Sequence, residues 1–138
     1  LGSGLMRWMY RTLNLSARVI VKSAWGRHRP LSKEVHAHYT RMFPTADSRI
    51  GTLGFLRSVV TEGPYMDALW ERRKTLESIP KLIIWGMADS FVKPVHLQRW
   101  KEGFPTSRFE ELKDVGHFPA DEASDRVVPL IRDFLATA

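Results

Sequence analysis

Two residues in this sequence have the type and setting to act together as a base and the carboxylate that orients it. They are Asp89, in Trp85-Gly86-Met87-Ala88-Asp89, and His117, in Asp114-Val115-Gly116-His117-Phe118. A carboxylate bonded to one imidazole nitrogen fixes the tautomer and stabilises the imidazolium. The other nitrogen is then free to take a proton from water or a hydroxyl. Each residue follows a short run that reads as a strand, and in open α/β sheets functional groups gather just beyond the carboxyl ends of strands. Adjacent parallel strands would bring the two loops together. Singly, Asp89 reads as well as a turn or helix-capping residue, and His117 as a polar loop residue. Their occurrence on successive strand ends is what points to catalysis.

The other candidates carry less chemistry. His36 and His38 form an H-x-H pair, but on a helix residues two apart face away from each other, so a surface or packing role is expected. Glu110, Glu111 and Asp114 could pair for acid–base work, yet they read more simply as solvent-facing strand and turn residues. Gly2-Ser3-Gly4 lacks the spacing of a G-x-S-x-G nucleophile elbow and has no strand before it. The five tryptophans, Trp8, Trp25, Trp70, Trp85 and Trp100, mostly fit core positions. With no cysteine, the chain has no disulfide, no thiolate nucleophile and no Cys-based metal site. No cofactor or metal is expected. A reducing compartment fits, and a cytoplasmic location is the expectation.

The net charge of +6 comes largely from Arg7, Arg11, Arg18, Lys22, Arg27, Arg29 and Lys33, a stretch without any acidic residue. Such a block suits nucleic acid, an anionic surface or an acidic partner, or is simply a solvated helix face. No phosphate-binding glycine loop, zinc-knuckle spacing or RNA-binding aromatic signature accompanies it, so no nucleic acid is expected. The same basic residues interrupt the most apolar N-terminal segment, well short of the roughly 18 to 20 apolar residues of a membrane span.

The elements that must position Asp89 and His117 follow from the periodicity. Apolar residues at helical spacing over 5–25 predict one amphipathic helix, stopped near Gly26 and Pro30. Ser32 is placed to cap a helix over 33–43, and further helices are predicted over 48–60 and from Pro64 to about Ser78. After Pro80 the pattern changes. Residues 81–86 form a short apolar run ended by glycine, the signature of a strand buried on both faces of a parallel sheet. A helix over 94–103, a strand over 108–112 and an amphipathic helix over 121–135 complete an α/β order: helices over 1–79, then strand, helix, strand, helix over 80–138. Two parallel strands alone leave open edges, so the first expects neighbours on both sides.

Here the sequence resembles the α/β-hydrolase fold. Gly86-Met87-Ala88-Asp89 is similar to that family's acid-bearing strand end, and Gly116-His117-Phe118 before a final helix to its catalytic-histidine loop. His28-Arg29-Pro30-Leu31-Ser32-Lys33-Glu34-Val35-His36-Ala37-His38-Tyr39 resembles the cap of haloalkane dehalogenases and their close relatives. The resemblance implies that 1–79 is a helical cap region, that 80–138 is the C-terminal βαβα part of the hydrolase core, and that Asp89 and His117 are the catalytic acid and base. It also implies a small apolar organic substrate; as the alternative to a core position, a cap tryptophan could donate its indole N–H to a leaving halide. Neither the oxyanion loop nor a nucleophile elbow, Ser- or Asp-bearing, occurs in the sequence. The expectation is the C-terminal half of a dehalogenase-like hydrolase, inactive alone. The alternatives are an epoxide hydrolase, a β-lactone-processing enzyme or a serine esterase of the same fold, or a non-catalytic, self-associating module.

Overall fold

The computed structural model describes residues 4–137, which fall into two compact units. Residues 4–23 and 31–72 form the first, and residues 24–30 and 73–137 the second.

The first unit is helical. The continuous helix expected over 5–25 is broken: α1 spans Gly4–Leu13, a π-helical turn spans Ser16–Ile20, and α2 spans Val21–Ala24. The break is at Asn14, whose φ of 51° lies in the left-handed region. Asn reaches this region at lower cost than most residues, because its short polar side chain finds local or tertiary bonds. Here Asn14 is buried and its amide donates to the Thr40 carbonyl at 3.1 Å. Apolar spacing counted across the break therefore does not describe one face: Tyr10, Ala17 and Val21 are buried, whereas Leu5, Trp8, Leu13 and Val19 are exposed. Trp100 is exposed as well, and Trp25, Trp70 and Trp85 are half-buried, so none of the five tryptophans is a fully buried core residue.

Ser32 caps α3, Lys33–Arg41, by accepting the Val35 amide at 3.1 Å, as its position implied. The helix α4 spans Ile50–Thr61 despite Gly51 and Gly54, and α5 spans Gly63–Glu71 with Pro64 in its first turn. The buried Arg49 donates through its guanidinium to the carbonyls of Phe43, Pro44, Arg11 and Thr12. These bonds tie the end of α1 to the turn before α4.

The second unit holds the sheet. Strands β1, Leu82–Gly86, and β2, Arg108–Leu112, pair in parallel from Leu82 opposite Arg108 to Gly86 opposite Leu112, and α6, Pro94–Gly103, joins them. The last helical stretch is divided at Ala123 into α7, Pro119–Glu122, and α8, Ser124–Thr137, which continues through Pro129. The core is Leu112, Val115, Ala123 and Val127, with Ile84 and Leu130 packed against it. In β1 only Gly86 is fully buried, and Leu82 to Trp85 are half-buried. A strand written for burial on both faces thus has one hydrogen-bonded neighbour among the described residues. No described helix is long and apolar enough to cross a membrane.

Candidate active site

Parallel pairing in this register sends the chain out of β1 and β2 on the same side, and backbone bonds fasten the two exits together. The Met87 amide donates to the Leu112 carbonyl at 2.9 Å, and the Ala88 amide to the Val115 carbonyl at 2.9 Å. Asp89 and His117 stand just beyond these bonds. His117 Nδ1 lies 2.7 Å from Asp89 Oδ2. The other carboxylate oxygen, Oδ1, accepts the amides of Phe91 at 2.7 Å and Val92 at 3.0 Å. Asp89 is therefore a turn former and an imidazole partner at once, and its two oxygens divide the roles.

The two side chains differ in access. Asp89 is 8% exposed and His117 38%. The carboxylate is shielded while the ring is open to a reactant, and with Nδ1 engaged, Nε2 is the nitrogen available for proton transfer. Phe91, at 5.9 Å, and Phe118, at 5.0 Å between ring centroids, meet the imidazole in edge-type contacts. This arrangement can orient one imidazole tautomer and stabilise its protonated form.

Close packing at the strand exits depends on glycine. A Cβ on Gly86 would overlap the Gly116 carbonyl oxygen, and one on Gly116 would overlap the Ala24 carbonyl oxygen. Residues 24–30 lie against the histidine loop: the His117 amide donates to the Ala24 carbonyl at 3.0 Å, and the amides of Arg27 and His28 both donate to the Asp114 carbonyl.

Glu122, which the sequence reading did not single out, is 0% exposed. Its Oε2 accepts the amides of Gly116 at 2.7 Å and Gly26 at 2.8 Å, and its Oε1 accepts the Phe118 amide at 3.0 Å. Hydrogen bonds to a charged acceptor contribute about 1.5–3 kcal/mol each, part of which offsets the cost of burying the carboxylate. One signal for this role was present, an acid in the first turn of α7 able to reach back to the N-cap amide of Phe118. The bond to Gly26 spans 96 positions and had none.

The remaining sequence candidates resolve into structural roles. His36 Nε2 bonds the Ala17 carbonyl at 2.9 Å, and no group of three potential metal ligands occurs among the described residues. Glu110 pairs with Arg108 at 2.8 Å, and Glu111 pairs with Lys101. Within the basic stretch Arg11 pairs with Asp47 and Arg29 with Asp125, each at 2.8 Å.

Asp114 accepts from Arg126 Nη1 at 2.7 Å and lies 2.7 Å from His28 Nδ1. The bond from Arg126, then the bond from His28, lowers its carboxyl to about 2 from an ordinary 3.8. A carboxyl depressed on folding contributes stability that is fully present above its unfolded value near 4 and is lost as pH falls toward 2. The expected result is a urea midpoint that drops over that window and drops less in Asp114→Asn. Equal acid sensitivity in the two proteins would contradict it.

The relatives point to one fold. Over 98% of its length the chain is 26% identical to cis-3-alkyl-4-alkyloxetan-2-one decarboxylase of Shewanella oneidensis, of which it spans 42%. Over 75% of its length it is 34% identical to haloalkane dehalogenase 2 of Mycobacterium tuberculosis, of which it spans 37%. It thus spans well under half of the curated relatives it matches. Among solved structures, haloalkane dehalogenase DbeA from Bradyrhizobium elkani superposes with a TM-score of 0.74 at 22% identity, over 98% of this chain and 49% of that one. No family model matches the chain.

Proposed function

We propose that Asp89 and His117 are the acid and base of a hydrolase of the haloalkane dehalogenase type, a reading supported by the α/β-hydrolase fold the chain shares with haloalkane dehalogenases and by its sequence similarity to them and to related hydrolases. The observation that carries this reading is the 2.7 Å contact between a shielded carboxylate and an accessible imidazole at the ends of adjacent parallel strands. Residues 1–79 are the helical cap region in this reading, and 80–138 the C-terminal part of the core.

A carboxylate on an elbow-bearing segment outside these 138 residues attacks the substrate carbon and expels halide, leaving an alkyl ester. His117 Nε2 then takes a proton from water, and the hydroxide adds to the ester carbonyl. Collapse releases the alkoxide, which takes the proton from the imidazolium and leaves as alcohol, and the carboxyl group loses its proton to solvent, which restores the carboxylate. Asp89 holds the ring and offsets its charge. The substrate is a small apolar organic halide. Self-association through the open edge of β1 belongs to the same proposal.

The purified chain alone is expected to release no halide and cleave no ester, because a base without a nucleophile or oxyanion hole loses the covalent route. Joined to an Asp-elbow N-terminal half, it should release halide from a haloalkane. Turnover by the chain alone that vanishes in His117→Ala would place the nucleophile within these residues and overturn this division of labour.

A second reading is favoured by the relative that matches 98% of the chain and acts, by its name, on a substituted oxetan-2-one. A four-membered lactone would then take the place of the haloalkane. Assaying the joined protein on both substrate classes separates the two.

A further inference from the structure

Three consecutive backbone amides run through the histidine loop, at Gly116, His117 and Phe118, and all three have partners. Glu122 takes the first and third, and the Ala24 carbonyl takes the second. Glu122 Oε2 also takes the Gly26 amide, so one fully buried carboxylate joins the loop to the segment that supplies that carbonyl. We propose that Glu122 is a positioning residue: it holds the backbone of His117 so that the ring stays bonded to Asp89. The inference rests on the catalytic reading of Asp89 and His117.

The chemistry of the position favours a carboxylate. Three N–H donors converge on two oxygens, and an ionised carboxyl group accepts at both and donates at neither. A primary amide of the same size would turn an NH2 group toward at least one of these donors. Glu122 does not touch the imidazole, so its effect passes through the backbone. A small rotation there would separate Nδ1 from Asp89 Oδ2.

The Nδ1–H proton of His117, shared with Asp89, should give a low-field NMR resonance in the labelled chain, which Asp89→Asn removes. Glu122→Gln is expected to remove or broaden the same resonance and to speed amide exchange at Gly116 and Phe118 by at least about tenfold, as loss of local protection does. In the joined enzyme, kcat should fall on the order of 100-fold, as for a misplaced catalytic group, with KM little changed. Glu122→Asp, which keeps the charge on a shorter arm, should recover part of the resonance. A low-field proton and slow exchange that persist in Glu122→Gln would overturn the proposal. Should Glu122→Gln fail to fold, exchange in the unaltered chain decides: protected amides at Gly26, Gly116 and Phe118 support it, and exchange as fast as in open loops overturns it. If His117→Ala left turnover intact while the resonance still depended on Glu122, the catalytic reading alone would fall.

Discussion

Replacing His117 by alanine in the joined protein is expected to stop turnover while a covalent ester accumulates. Attack of a carboxylate on carbon needs no base, since the nucleophile is already ionised and halide leaves without a proton. Hydrolysis of the ester does need one, because water at neutral pH is a poor nucleophile until it is deprotonated. Loss of a positioned base typically costs about 10²–10⁴-fold, and here the loss falls on the second step only. Asp89→Asn should slow the same step. The amide keeps the loop bonds to Phe91 and Val92 through its oxygen but offers the ring an NH2 group, which favours the wrong tautomer and leaves the imidazolium without its counter-charge. Intact mass after mixing with a haloalkane reads the adduct directly. A serine nucleophile predicts the opposite pattern, because it needs His117 to form its acyl-enzyme as well. No adduct in His117→Ala would point there, and turnover indifferent to both substitutions would remove the two residues from the mechanism.

Gly86→Ala is expected to cost about 3 kcal/mol, in the range of severe overpacking. The added Cβ would overlap the Gly116 carbonyl oxygen and come within 2.7 Å of the Val115 carbonyl oxygen, and both are backbone atoms that no rotamer change can move aside. Relief requires the exits of β1 and β2 to part, which stretches the Ala88 to Val115 bond and draws Asp89 away from His117. Stability and the low-field imidazole proton should therefore be lost together. Gly51→Ala is the matched control. That glycine lies inside α4 with nothing within 4 Å of an added Cβ, so alanine there should stabilise by about 0.5–1 kcal/mol. Urea titration of both variants checks the contrast, and an unchanged midpoint for Gly86→Ala would contradict the close approach on which the site geometry depends.

Local signals were enough to place the strands, the helix between them, the Ser32 cap and the strand-end positions of Asp89 and His117. Each depends on residues near one another in the chain: an apolar run closed by Gly86, a hydroxyl before a helix, and an acid and a base each a few positions past a strand. Periodicity alone could not report the turn at Asn14, since apolar residues recur at helical spacing on both sides of it. A positive φ there depends on burial and on the Thr40 carbonyl, 26 positions away. Nor could local pattern divide the last helix at Ala123.

By itself the sequence determined which residues could form the relay and on which kind of element they stand, because residue type and strand periodicity are local properties. Only the tertiary structure decided that β1 and β2 are neighbours in parallel register, that Asp89 is shielded while His117 is open, and that residues 24–30 return to the histidine loop. It also turned Glu122 from an ordinary helix-opening acid into the partner of three backbone amides. The physical reason is the same in each case. A buried polar group must find its partner wherever the folded chain brings one, and that partner's distance along the sequence leaves no trace in the pattern around it.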